Sequence, residues 1–135
     1  MYRLALFISL PDKDFSIVSC SPENLINKKG ELISTKPIAG TVKKINKMNK
    51  SKALKYFKKN IKENKEHNMI VDMERNDLSK ICVPSSVKVS KEKIIEEYRD
   101  LFHYVSLIKG KIKKSVNNLQ VIKAMMPGGS VIGCP

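Results

Sequence analysis

Hydrophobic and polar positions at the start of the chain follow a pattern typical of β-strands. Apolar residues dominate residues 2–10, a polar turn follows at residues 11–14, and apolar residues return at residues 15–19. Short apolar runs bounded by proline, aspartate and serine indicate strands joined by turns. The pattern therefore predicts an antiparallel pair of strands at the N-terminal end of the sequence.

A second hairpin is predicted shortly afterwards. Residues 27–30 resemble a turn between apolar pairs at 25–26 and 32–33, because Gly30 can adopt a positive φ angle at no steric cost. Residues 37–41 contain a proline and a glycine, and we expect them to form a loop that closes this half of the chain.

The apolar spacing changes to a helical period after residue 50. Leu54, Phe57 and Ile61 recur at steps of three and four, which predicts an amphipathic helix from about Ser51. A second apolar stretch around Met69 continues at helical spacing. Together these residues predict a helical middle section.

The remainder of the sequence mixes both kinds of element. Residues 83–89 and the longer run 101–108 read as strands, and a short helix is expected over residues 119–126, capped by Asn117 or Asn118. Strands and helices in irregular alternation indicate an α+β fold.

The charge of the chain is its most unusual compositional feature. Its 135 residues carry 26 basic and 13 acidic side chains, a net charge of +13, which raises the alternative of a nucleic-acid-binding module. Only Arg3, Arg75 and Arg99 are arginines, however, and the planar arginine fork is the side chain that recognises phosphates and base edges best. We interpret the lysine-rich stretch 43–65 as a solvated helix face and expect no nucleic-acid partner.

Cysteine usage and hydropathy bear on the compartment. Cys20, Cys82 and Cys134 are widely spaced and form no disulfide framework, which favours a reducing compartment. No apolar run approaches the ~18 residues of a membrane span, and residues 1–10 lack a signal-peptide cleavage site. The sequence predicts a cytoplasmic protein with no membrane partner.

Two carboxylates and a histidine share one face of the predicted helix. Glu63, Glu66 and His67 lie at spacings of three and four, and adjacent carboxylates repel unless a cation intervenes. Magnesium commonly takes only one or two protein carboxylates. The alternative is that both glutamates pair with neighbouring lysines.

Two glycine-containing loops and one histidine are further candidates for function. Gly40-Thr41 and Gly128-Gly129-Ser130 could present N–H groups and a hydroxyl to a small anion, or they could be ordinary turns. His103 lies in an apolar strand and could equally be a structural residue. The polar run from Asp72 to Asp77 is explained most simply by contacts within a helix, such as Asp72–Arg75.

Six sequence blocks, taken in order, resemble the chorismate-utilising enzymes, which include anthranilate, aminodeoxychorismate, isochorismate and salicylate synthases. Each block is short, but their order and spacing hold along nearly the whole chain. The blocks are Ser21-Pro22-Glu23, Lys36-Pro37-Ile38-Ala39-Gly40-Thr41, residues 66–72, residues 74–78, His103-Tyr104-Val105-Ser106 and residues 127–135. The resemblance implies that residues 1–135 are a partial chorismate-binding domain, a slice of the family's β-sandwich with flanking helices.

The resemblance also implies roles for individual residues. Glu66, with Glu63 nearby, resembles a Mg²⁺ ligand, and Glu23 resembles the general acid that protonates the departing ring hydroxyl. His103 resembles a histidine beside the substrate ring. The substrate-binding residues implied by the resemblance are Ala39, Gly40, Thr41 and Ser130.

The resemblance implies an aminating enzyme that receives ammonia from a glutamine amidotransferase subunit. Residues 74–82 and the Gly-Gly-Ser loop favour aminodeoxychorismate synthase component I of the folate branch. Anthranilate synthase component I is the alternative, because many aminodeoxychorismate synthases carry a nucleophilic lysine where this chain has Ala39.

The chain matches only a central slice of the family pattern. The second metal-binding glutamate and the substrate-binding arginine of the family have no counterpart in residues 1–135. We therefore expect this chain alone to be inactive and poorly folded. A non-catalytic protein that docks on an intact synthase or amidotransferase is a further alternative.

Overall fold

A computed structural model describes residues 4–21, 24–45 and 48–128, with the side chains of the first segment described from Leu6 onward. The elements confirm an α+β fold. The strands are β1 (Leu4–Leu10), β2 (Phe15–Ser21), β3 (Asn27–Lys29), β4 (Leu32–Thr35), β5 (Ile38–Lys43), β6 (Lys88–Glu97) and β7 (Leu101–Lys111). The helices are α1 (Lys50–Lys59), α2 (Ile61–Ile81) and α3 (Asn118–Met125).

Strands β1 and β2 form a separate antiparallel hairpin, as the sequence predicts. Leu4 pairs with Ser21 at one end and Leu10 with Phe15 at the other. A single 3₁₀ turn at Pro11–Lys13 connects them, and Asp14 closes it in the left-handed conformation with φ 46°. Every side chain from residue 6 to residue 20 is exposed, so the hairpin buries neither of its faces.

The other five strands form one sheet around β7. Strand β6 pairs along one edge of β7, while β5 and then β4 pair along the other, and β3 extends the sheet from β4. All these pairings are antiparallel. Since β7 has neighbours on both sides, it is the most deeply buried strand of the sheet.

Three predicted boundaries on this sheet were wrong. The predicted loop at residues 37–41 is strand β5, which has an irregular register between Ile38 and Thr41 where Gly40 takes φ 125°. The strand expected at residues 83–89 begins only at Lys88 and continues through a charged stretch to Glu97. The predicted turn at 27–30 is shifted, because residues 27–29 already form β3. In each case pairing with a neighbouring strand overrode a local signal.

The helical section divides at Asn60. The Asn60 side chain accepts a hydrogen bond from the Glu63 N–H at 3.2 Å, and this cap begins α2. Ala53 and Phe57 form the buried face of α1, whereas Ile61 lies beyond the break and is 72% exposed. The predicted helices are confirmed, but Ile61 was wrongly placed on the apolar face.

The core lies between the sheet and the helices. One cluster joins β4 and β7 to α2 and α3 through Ile33, Val71, Leu78, Ile81, Cys82, Ile108, Ile112, Val121 and Met125. Beside it, the Phe57 ring of α1 stacks on the Tyr104 ring of β7, with centroids 4.8 Å apart and planes within 6°. The helices are thereby fixed to one face of the sheet.

The lysines of α1 point to solvent. Lys50, Lys52, Lys55, Lys58 and Lys59 are all exposed, opposite the buried Ala53 and Phe57. This arrangement agrees with the interpretation of a solvated helix face. Within the described ranges, no helix combines the length and the apolar composition needed to cross a membrane.

Candidate active site

Two of the predicted site residues form a direct pair. Thr41 of β5 and His103 of β7 are partners in the strand register, and a 2.8 Å hydrogen bond joins Thr41 Oγ1 to His103 Nδ1. Thr41 is exposed, whereas His103 is 8% exposed. The pair thus joins an exposed threonine to a buried imidazole through a hydrogen bond.

Gly40, the residue before Thr41, faces the helices. A Cβ atom at Gly40 would lie 2.6 Å from Phe57 Cε1 and 3.0 Å from Glu63 Oε2, so α1 and α2 approach the backbone of β5 closely there. Only glycine combines this absence of a side chain with the observed φ of 125°. Successive strand residues point to opposite faces, so Glu63 approaches β5 from the helix side and His103 from the other side.

The predicted magnesium ligands lie one turn apart near the start of α2. Glu63 is half-buried beside Gly40, and Glu66 is exposed, with a 3.8 Å ion pair to Lys62. Two carboxylates are the number that a protein commonly gives to Mg²⁺, with water and ligand oxygens completing the shell. The described residues contain no cluster of three or more acidic, histidine or cysteine ligands. A magnesium ion held by this pair and shared with a ligand stays a prediction.

Ala39 and His67 belong to the interior beneath the site. Ala39 is 7% exposed, and the His67 imidazole is fully buried, with a 2.6 Å hydrogen bond between His67 Nε2 and Ser106 Oγ. Burial lowers the pKa of His67, and the nearby charge of Lys93 lowers it further, against the opposing effects of the Ala39 backbone and Glu92. His67 is accordingly a neutral anchor between α2 and β7 rather than a metal ligand.

A cavity of about 260 Å³ lies beside the segment that joins β4 to β5, with Thr35, Lys36 and Pro37 in its lining. Its lining includes Ser21 and Asn24, which flank Glu23 in sequence, and Gly128, which precedes Gly129-Ser130. Glu23 and Ser130 themselves lie outside the described residues. The remaining lining residues are Leu25, Glu74, Met126 and Pro127.

The polar run on α2 serves the fold. Glu74 is 4% exposed and accepts a 3.1 Å hydrogen bond from the Thr35 hydroxyl, which ties α2 to β4. The predicted contact within the helix is confirmed, since Arg75 Nη1 lies 3.1 Å from Asp72 Oδ1.

Three residues near His103 were missed by the sequence reasoning. Lys36 Nζ donates to both carboxylate oxygens of Glu96, at 3.0 Å and 2.8 Å, and the Tyr98 hydroxyl donates to Glu96 at 2.9 Å. The signal that could have found them is the strand register of β6, which places Glu96 directly opposite His103. That register was hidden because the strand was expected to begin five residues earlier and to end at residue 89, before Glu96.

Comparison with known proteins identifies the family. Residues 4–135 match the family model described as chorismate binding enzyme. The chain belongs to the chorismate-binding enzyme family. It is 40% identical over 120 residues to an anthranilate synthase component I-like protein of Synechocystis, and 39% identical over 127 residues to aminodeoxychorismate synthase component 1 of Bacillus subtilis. These alignments cover 88% and 93% of this chain.

The fold agrees with the same assignment. The crystal structure of anthranilate synthase component I from Streptococcus pneumoniae superimposes on 94% of this chain with a TM-score of 0.76 and 32% identity. The chain spans only about a quarter of its relatives, 25% of the Synechocystis protein and 27% of each of the other two. Relatives with two different names match at nearly equal identity, so the similarity establishes the family and not the product.

Proposed function

We propose that this chain supplies the His103 segment of a chorismate-aminating enzyme, most consistent with aminodeoxychorismate synthase component I. The observation that carries the proposal is the Thr41–His103 pair, with Glu63 beside Gly40 one residue away along β5. These four residues come from three elements of the matched span, and they combine a hydroxyl, an imidazole and a carboxylate around one strand.

The proposed reaction replaces the ring hydroxyl of chorismate with an amino group and keeps the enolpyruvyl side chain. Ammonia from a glutamine amidotransferase subunit attacks the ring, and the hydroxyl departs as water after taking a proton from Glu23. Thr41 and the Gly40 backbone would orient the substrate, together with Ser130, and His103 would lie beside its ring. Ala39 supports this strand from the buried side.

Glu63 and Glu66 would hold Mg²⁺ through their carboxylates. When bound, the ion would neutralise a carboxylate of the substrate and fix the ring for attack. Glu66 is exposed and forms a long ion pair with Lys62, so this carboxylate is accessible to a ligand.

Anthranilate synthase component I is the second candidate, and Ala39 is the observation that favours it. An alanine there offers no nucleophilic amine, so ammonia must attack directly, as in anthranilate formation. That reaction aminates the adjacent ring position and then eliminates pyruvate.

A reducing, cytoplasmic compartment stays a prediction. Cys82 is buried, and both described cysteines are free thiols.

A graft tests the proposal. Residues 4–135 would replace the matching stretch of the Bacillus subtilis relative, and the purified graft would be given chorismate, Mg²⁺ and ammonia. We expect the graft to form aminodeoxychorismate. Grafts that carry Thr41→Val or His103→Ala should form at least about a hundredfold less of this product. The control Lys43→Ala, on the same strand, should leave the activity unchanged. Anthranilate with release of pyruvate would instead establish the second candidate. A folded graft that binds no chorismate would refute both.

The chain alone provides a second arm of the same experiment. We expect no measurable turnover from the isolated 135 residues, because the family's second metal-binding glutamate and substrate-binding arginine have no counterpart among them. Turnover by the isolated chain would contradict this part of the proposal.

A further inference from the structure

His103 sits between two polar side chains on adjacent strands. It pairs in register with Thr41 on β5 and with Glu96 on β6. Residues directly opposite one another on neighbouring strands share a face of the sheet. Thr41, His103 and Glu96 therefore form a row across three strands, on the face that does not contact the helices.

Glu96 is fixed in place from two directions. Both of its carboxylate oxygens accept hydrogen bonds from Lys36 Nζ, and Oε2 also accepts one from the Tyr98 hydroxyl. The Tyr98 ring in turn meets the His103 ring edge-on, with centroids 5.0 Å apart and an angle of 69° between the planes. Tyr98 thus contacts both the carboxylate and the imidazole.

The Glu96 carboxylate is ionised at neutral pH. Burial opposes ionisation, but hydrogen bonds from Lys36 and Tyr98, and the charges of Lys36 and His103, bring the pKa of Glu96 below its usual value. A negative charge held beside an imidazole favours the protonated imidazolium. Helix α2 packs on the opposite face of the sheet, where its His67 contacts Tyr104 and Ser106.

We propose that Glu96, braced by Lys36 and Tyr98, is a positioning residue that fixes the orientation of His103 and favours its protonated form. This inference rests on the proposed role of His103 beside the substrate ring. Thr41 holds the ring through Nδ1, the Tyr98 ring packs against it edge-on, and Glu96 in turn accepts a hydrogen bond from the Tyr98 hydroxyl. A protonated His103 held in this way would offer a positive charge to the anionic substrate rather than act as a base.

The histidine content of the chain makes a direct test possible. The sequence has two histidines, His67 and His103, so each can be followed by NMR through a pH titration without ambiguity. His67 is the internal reference because it lies on the other face of the sheet. The measurement needs no chorismate and no magnesium, so its failure is distinguishable from failure of the grafted enzyme.

The key variant is Glu96→Gln, and the matched control is Glu97→Gln. Glu97 is the next residue of β6 and pairs with Lys44 and Lys50 instead. We expect Glu96→Gln to lower the pKa of His103 by about 1 pH unit and to alter its ring-nitrogen shifts. Glu97→Gln and the His67 titration should remain within a few tenths of wild type. Glu96→Asp, which keeps the charge, should restore most of the change.

Three results would overturn the proposal. These are a His103 titration that is the same in wild type and Glu96→Gln, an equal response to Glu97→Gln, or a wild-type chain in which both histidines titrate as in unfolded peptides. A circular dichroism spectrum of each variant accompanies the titration, so that a collapsed sheet is recognised as such.

Discussion

The β1–β2 hairpin and the five-stranded sheet with its helices are built from similar apolar strands, but their surroundings differ. In the hairpin, Phe7 is 68% exposed and Val18 is 78% exposed, although the two residues face each other across the strands. In the sheet, Tyr104 is fully buried because the Phe57 ring of α1 stacks on it. Apolar composition makes a strand possible, but only a second layer makes it a core.

The difference also separates folding from function. An isolated two-stranded hairpin is marginal in water, whereas a sheet packed against helices can be stable by itself. The Thr41–His103 pair and Glu63 all belong to the part that has its own core. The prediction of a poorly folded chain therefore applies to the hairpin alone. We expect the hairpin to be poorly structured, and the sheet with its helices to stay folded.

Removing one aromatic ring from each region should show the largest contrast. Phe57→Ala deletes a ring that is 1% exposed and stacked on Tyr104, so we expect it to lower the free energy of unfolding by about 3–5 kcal/mol. Phe7→Ala, the matched change in the hairpin, should cost less than about 0.5 kcal/mol. Urea unfolding followed by circular dichroism measures both. Equal losses would mean that the hairpin is packed in solution.

Two glycines offer a smaller contrast within the sheet region. Gly40→Ala places a methyl group against Phe57 and Glu63 at φ 125°, so we expect a loss of about 2–3 kcal/mol. Gly30→Ala, at φ 61° with open space around it, should cost about 1 kcal/mol from backbone strain alone. Thermal unfolding of the two variants gives the order, and a reversed order would argue against the close approach of α1 and α2 to β5.

Acid should weaken the sheet region through His67, since both histidines lie outside the hairpin. The pKa of His67 is lowered in the folded state, so the unfolded chain takes up this proton first. Stability from this group is complete above its ordinary pKa of 6.5 and falls as the pH drops below it, by at most about 1.4 kcal/mol per pH unit.

Unfolding free energies at pH 7.5, 6.5 and 5.5 measure this effect, with His67→Gln as the control that should lack this loss. Glu96 contributes to the unfolding free energy in a lower pH range. Its lowered pKa means that its stabilisation is lost only below about its ordinary value of 4.5. Profiles that fall equally between pH 7.5 and 5.5 in wild type and in His67→Gln would contradict the burial of a neutral His67.

The sequence predicted which segments form helices and strands better than it predicted which strands pair with one another. The hairpin, α1, α2, β7 and α3 follow from apolar spacing and caps, and Asn117 indeed accepts a hydrogen bond from the Gln120 N–H to begin α3. Strand β6 was misplaced because residues 91–93 are charged, and its pairing with β7 comes from tertiary contacts that periodicity does not report.

The sequence predicted the site residues that belong to motifs, but not the residues that only the strand register brings together. Gly40, Thr41 and His103 came from motifs, and the structure brings Thr41 and His103 into contact. Lys36 and Glu96 form an ion pair although they lie 60 residues apart in the sequence, so no local sequence pattern indicates it. Glu23 and Ser130 lie outside the described residues, and their roles stay predictions.

The contrast between the two regions is tested most directly by amide hydrogen exchange of the isolated chain at neutral pH. We expect strong protection of the β7 amides, approaching the global unfolding free energy, and exchange in β1 and β2 close to that of an unfolded peptide. Protection of the hairpin equal to that of β7 would mean that the hairpin also belongs to the core that the sheet and its helices form.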